Sequence, residues 1–220
     1  FIFLMYLLHS EDLIKGGIGG YELVLNLCRD FRSASLFFTG IFAGLHITGA
    51  FDDRRMQAAG MAGNSRAKVL LTKFASFASA IALYFATSVL LPATIGFVRF
   101  GTVCEDGSFL RNVVARGPLY LLTEIAVCSI CFIISMLCKK PGIAVIVNMV
   151  TTLTASLAVQ FIALKPWGEN VLQYLPHGQN AIVFSDMSNK NCVLALGVCI
   201  AFIALVIMGS YAKFRKEELK

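Results

Sequence analysis

Five stretches of this chain stay apolar for about twenty residues each, and nothing else in it restricts the fold as strongly. They cover residues 33–51, 74–98, 117–138, 142–164 and 192–212. A bilayer core roughly 30 Å thick is crossed by about 20 helical residues rising ~1.5 Å each. Backbone N–H and C=O groups in lipid must bond within the segment, so such runs form helices. Barrel strands alternate apolar and polar residues, which these runs do not. Four of the five contain no Asp, Glu, Lys or Arg, and the third contains a single one, Glu124. A sixth run, residues 1–8, is half a span. The chain does not begin with Met, so Phe1 reads as a truncation point with the first helix starting upstream; a cleaved signal peptide is the rival reading, without a visible positive n-region or small-residue cleavage site.

Composition agrees. Hydrophobic residues make up 57% of the 220 and charged residues 15%, with a mean hydropathy of +0.75; a soluble domain is about a quarter charged. The polar connections are too short to hold a separate soluble domain. The expected fold is all-α: one polytopic membrane domain over residues 1–220, with six transmembrane helices, the first truncated.

Charge sets an orientation. With alternating connections, residues 52–73, the 139–141 turn and the tail from Lys213 share one side. They hold 11 of the 19 Lys and Arg, namely residues 54, 55, 66, 68, 73, 139, 140, 213, 215, 216 and 220. The opposite connections hold eight of the thirteen acids. Basic residues near span ends mark the cytoplasmic side, so the C-terminus is expected in the cytoplasm and the chain in a plasma membrane. The net charge of +6 is then a topology signal, split among short loops instead of forming a nucleic-acid face.

The seven cysteines do not form a disulfide framework. Cys128, Cys131, Cys138 and Cys199 lie within spans and read as small apolar packing residues. Cys128-x-x-Cys131 lacks a second pair, so the metal reading is the weaker one. Cys28, Cys104 and Cys192 fall near the outer face, where one bridge among them is left open.

Residues 52–73 form the longest connection on the basic side. Its beginning has good helix formers behind Asp52 and Asp53, which suit a helix start. Gly60 and Gly63 would end that helix, and Ser65 would cap a second one continuing into the span that follows. On the outer side, residues 165–190 carry Trp167 as an interfacial aromatic, then a semi-apolar stretch broken at Pro176 and Gly178. Short helices dipping partway into the membrane are expected there.

The succession of a span ending at Phe51, mixed charges, a glycine turn, Ser65-Arg66 and Lys73 seven residues on resembles the permease subunits of type-2 ABC exporters. It is most similar to the small bacterial permeases handling lantibiotics and other antimicrobial peptides. Leu175-Pro176 before the last span, the six spans and the basic tail match as well. Where many members carry a Glu followed by Gly-Thr, this chain has Asp52-Asp53 and Gln57-Ala58. The resemblance implies two permease subunits, identical or not, forming a path through the bacterial plasma membrane. It also implies a separate ATP-binding subunit that docks on a cytoplasmic coupling helix between the second and third spans. Residues 52–63 would be that helix, with Asp52, Asp53, Arg54 and Arg55 as coupling contacts and Arg66 and Lys73 as anchors of the elbow. No cofactor is bound by the chain itself, and ATP enters only through the partner; there is no Gly-x-x-x-x-Gly-Lys-Ser/Thr here.

Apart from hydroxyls and thiols, four polar side chains lie within spans. Glu124 is either part of a substrate path or proton relay, or an acid hydrogen-bonded to its neighbours. Asn148 and Gln160 are read along a substrate path or as interhelical bonds, and His46 likewise. The rival function is an ion-coupled transporter or channel-like protein using Glu124. Enzyme signatures such as His-Glu-x-x-His and Gly-x-Ser-x-Gly are missing from the sequence. Gly40 and Gly44, and the row Ala78, Ala82, Ala86, would let helices approach closely, within one subunit or at a dimer seam.

Overall fold

The computed structural model describes residues 35–52, 58, 62–90, 94, 109–179 and 189–216. The half-span at residues 1–8 and the charged residues Asp53, Arg54 and Arg55 lie outside these. All regular structure among the described residues is helical. Four helices are long and apolar enough to cross a membrane: α2 (Arg66–Leu90), the Gly117–Leu137 stretch of α3 (Phe109–Leu137), α4 (Pro141–Ala163) and the Lys190–Arg215 stretch of α6 (Asn189–Lys216). A shorter apolar helix, α1 (Ser35–Phe51), matches the first of the five runs, at residues 33–51, and a five-residue helix α5 (Gly168–Leu172) follows α4.

Local chemistry explains the boundaries. Gly63 sits at φ +83°, a conformation that disfavours a β-carbon. Ser65 is extended and its hydroxyl accepts from Lys68 N at 3.3 Å, so it caps α2 as its spacing predicts. The helix consequently starts eight residues before the apolar run at 74. Lys140 is extended because Pro141 follows it. Pro141 then occupies the first turn of α4, where its missing N–H costs no helical bond. α3 and α6 also extend past their apolar runs, α3 to Phe109 and α6 to Lys216, because polar residues continue a helix as readily as apolar ones outside the lipid.

Contact pairs give the helix directions. Ser35 meets Glu124 and Thr48 meets Ser135, so α1 and α3 run parallel. Gly40 meets Asn148 and Gly44 lies against Val145, so α4 runs opposite to α1. Phe38 stacks on Tyr84 at 4.4 Å while His46 Nε2 lies 3.2 Å from Ser76 Oγ, so α2 also runs opposite. These directions alternate as the charge pattern requires. They gather the end of α1, the start of α2, the α3–α4 turn and the end of α6 at one end of the bundle, together with Arg66, Lys68, Lys139, Lys140, Lys213 and Arg215.

α3 is the axis of the bundle. Of its membrane-length stretch 61% is buried, against 28% for α2 and 17% for each of α4 and α6. Ala126, Val127, Cys128, Ser129 and Cys131 are small enough to let the other helices close around it. Aromatic rings fill the wider gap on the α2 side. Phe132 meets Phe74 edge-on at 5.2 Å and Phe77 at 5.6 Å, and Phe77 and Phe132 are fully buried. Outward side chains of α4 and α6, such as Ile146, Val150, Leu157, Val193 and Leu205, are exposed and apolar, as a lipid-facing surface must be.

The glycine pair in α1 packs within the chain. A β-carbon at Gly40 would sit 3.3 Å from that of Asn148. One at Gly44 would be 2.6 Å from Val145 Cγ2 and 2.9 Å from the Val145 backbone nitrogen. Gly44→Ala is therefore expected to lower stability by about 1–3 kcal/mol, because backbone cannot move aside as a side chain can. Gly197→Ala in α6, where nothing lies within 4 Å, should be neutral. Thermal unfolding of both variants in detergent tests the contrast.

Candidate functional site

Polar side chains in the bundle collect along α3, and their partners divide them into two kinds. Thr123 Oγ1 donates to Tyr120 O at 2.7 Å and Ser129 Oγ to Ala126 O at 2.6 Å; each is satisfied by its own helix. Glu124 cannot be satisfied that way. Its carboxylate is fully buried, and Ser35 Oγ of α1 donates to its Oε2 at 3.2 Å. Glu124 is seven residues from Gly117, or ~10 Å along the axis, and so lies well inside the apolar stretch. A charge placed at the centre of a bilayer costs about 2.5–3.5 kcal/mol on insertion scales, which forces such a group into the bundle. Thr39, one turn along α1 from Ser35, brings a second buried hydroxyl to the α1–α3 seam beside Cys128.

Asn148 forms a second node. Its Nδ2 donates to Gly40 O at 3.1 Å and to Ser135 Oγ at 2.9 Å, so one amide ties α4 to both α1 and α3. Ser135 O in turn accepts from Thr48 Oγ1 at 2.7 Å. Asn148 Oδ1 is buried and has no hydrogen-bond partner among the described residues. The absence of a β-carbon at Gly40 is what lets Asn148 approach the α1 backbone. Thr152, one turn on, bonds back to Asn148 O at 2.9 Å and Met149 O at 3.0 Å.

Of the three groups expected along a substrate path, the fold therefore brings Glu124 and Asn148 to the seams around α3 and leaves Gln160 exposed on the outer side of α4. His46 makes an interhelical contact with Ser76 and stacks on Phe42 at 5.0 Å. Cys128 and Cys131 are buried free thiols, and no cluster of three or more His, Cys, Asp or Glu that could hold a metal occurs among the described residues.

The elbow at the basic end is the other candidate. Arg66, the first residue of α2, donates from Nη1 to Arg215 O at 2.6 Å and to Phe214 O at 3.4 Å. A guanidinium on the last carbonyls of α6 satisfies groups that have no helical donor and meets the negative end of the helix dipole. Phe214 is buried and meets Phe51 edge-on at 5.8 Å, which adds the end of α1 to the clamp. Lys73 lies two turns further along α2 and is half-buried. Asp52 is the last residue of the helical segment Gly49–Asp52 that ends α1. Ala62 N donates to Ala58 O at 3.0 Å, a single helical turn before Gly63. The coupling helix expected over residues 52–63 otherwise falls outside the described residues.

Ser35, Thr39 and Ser135, and the carbonyls of Phe214 and Arg215, escape a reading of the sequence alone. The hydroxyls at Ser35 and Thr39 do carry a signal, being one turn apart on a run that otherwise has few polar groups. The Arg66 clamp carries none, because its partners are backbone atoms about 150 residues away. No family model and no curated protein matches the chain.

Asn148→Ala is expected to lower stability by roughly 1–2 kcal/mol, since two interhelical bonds are lost and each is worth about 0.6–1.7 kcal/mol in a membrane protein. Gln160→Leu should cost nothing measurable. Thermal unfolding in detergent, with each variant beside wild type, gives the comparison.

Proposed function

We propose that this chain is a membrane-spanning permease subunit of an ATP-driven ABC exporter in the bacterial plasma membrane. It would move an amphipathic peptide or a hydrophobic compound, while a separate subunit hydrolyses ATP. The observation that carries this reading is the clamp of Arg66 on the end of α6. A motor docked on residues 52–63 would push on a turn built from Gly63 and Ser65. Arg66 joins that turn to the last helix, and α2 continues from it through the bilayer as one rod. Force applied at the elbow is therefore delivered to α2 and α6 together. The basic residues at that end support its placement in the cytoplasm, where ATP is. A second permease subunit would complete the path.

Charge reversal at Asp52 and Asp53, both to Lys, is expected to abolish co-purification of the ATP-binding subunit while the protein still inserts in the membrane. Undiminished pull-down by the double variant would remove the docking assignment.

One observation favours a second reading. Glu124 is fully buried at a helix seam with a hydroxyl donor, the setting of an ion- or proton-coupled carboxylate. An ion-coupled transporter would lose its dependence on a proton or sodium gradient in Glu124→Gln and would need no ATP. An ATP-driven exporter would keep nucleotide-dependent transport in the same variant, at a rate within a few-fold of wild type. Vesicle transport with gradient and nucleotide varied separately distinguishes the two.

A further inference from the structure

The connection after α4 presents a face that the transport reading leaves unused. Lys165 N donates to Ile162 O at 3.0 Å and Gly168 N to Lys165 O at 2.8 Å, so the chain turns off the end of α4 directly into α5. A β-carbon at Gly168 would fall on the Ile162 carbonyl, and one at Gly178 on the Leu172 carbonyl. These two glycines are what allow the segment to fold back against backbone at both of its corners. Residues 176–179 turn inward and are buried.

The same folding leaves a defined set of side chains outside. Trp167, Val171 and Tyr174 are 54%, 40% and 62% exposed, and their spacing of four and then three residues places them on one side of a near-helical path. In the chain this face follows directly on the exposed side chains at the end of α4, Phe161 in its last turn and Leu164 just past it. α4 is long and apolar enough to cross a membrane, so its outer stripe belongs in hydrocarbon. Past the end of the helix, the chain reaches the depth of the headgroups. Rings with an apolar body and a polar tip are favoured at that depth, and Trp167 and Tyr174 supply an indole N–H and a phenol O–H. The exposed Lys165 can extend its ammonium to water from there.

We infer that Trp167, Val171 and Tyr174 dock this connection onto the headgroup layer of the bilayer, with α5 lying along the membrane surface. The partner is lipid, because the face follows in the chain on a lipid-facing helix and changes from aliphatic to amphipathic aromatic residues where the apolar helix ends. The inference needs the chain to sit in a membrane and needs nothing from the exporter assignment.

The chain contains a single tryptophan, so its fluorescence reports on this face alone. The full chain is reconstituted in phosphatidylcholine vesicles whose acyl chains carry bromine either near the headgroup or near the bilayer centre. Trp167 emission should be quenched more by the shallow bromines than by the deep ones, and only weakly by aqueous iodide. Trp167→Phe combined with Tyr174→Trp moves the reporter along the face and should preserve that order. Strong iodide quenching without a bromolipid effect would place the face in water and overturn the inference. Quenching by neither agent would mean that protein, such as a second copy of the chain, covers the face, and would overturn it equally. Deep bromines acting more strongly than shallow ones would show a buried dip instead of surface docking.

Discussion

The arrangement depends on the hydrogen bonds that α3 makes sideways. In hydrocarbon no water stands ready to take over an unmade bond, so each polar side chain must find a partner on its own helix or on a neighbour. Thr123 and Ser129 donate to carbonyls of their own helix. Glu124 and Ser135 make bonds to other helices. Glu124 takes Ser35 from α1, and Ser135 is held by Thr48 of α1 through its carbonyl and by Asn148 of α4 through its hydroxyl. Apolar contacts between helices are weakly specific in lipid, since lipid tails are as apolar as leucine. These few bonds therefore set the height at which α1 and α4 lie beside α3.

Small residues act together with them. Interhelical bonds are short, and Asn148 can reach the Gly40 carbonyl only because no β-carbon stands between the two backbones. The bonds and the close approach of α1 to α4 are thus one device, with Gly44 and Val145 continuing it a turn further on. At the basic end the binding is of another type. There Arg66 donates to backbone carbonyls outside the apolar layer, where partial exposure weakens each bond but charge assists it.

Some of this was readable from residue order. Helical spans follow from the length of an apolar run, and the start of α2 follows from Ser65 and Gly63, because caps and turns are local. Gly40 and Gly44 announced a close approach, though not toward which helix. The positions of Glu124 and Asn148 inside the bundle were expected from the cost of leaving them in lipid. Gln160 carries the same kind of polar group and points outward, near the end of α4 where an amide can reach headgroups. Its facing was not readable because α4 is apolar nearly all round, and a helix without a polar side has no period from which to read an orientation. The Arg66 clamp was hidden for another reason: its acceptors are main-chain atoms, which every residue has.

The two ends of the bundle consequently differ in what could move them. At the basic end, α2 is joined to α6 by Arg66, and α6 to α1 by the Phe51–Phe214 contact, so a displacement of the elbow carries three helix ends. At the other end, Ser35 and Glu124 form a lateral bond between α1 and α3, at a depth where breaking it would strand a carboxylate in lipid. The bonds Ser35–Glu124, Thr48–Ser135, Asn148–Gly40 and Asn148–Ser135 tie α1, α3 and α4 to one another, whereas Arg66 ties α2 to α6. The polar core thus fastens α1, α3 and α4 within the apolar layer, and the clamp fastens α2, α6 and the end of α1 at the basic end. A carboxylate that drives transport by its own ion binding would have to sit on a seam that opens, and Glu124 sits on the α1–α3 seam that its bond to Ser35 holds.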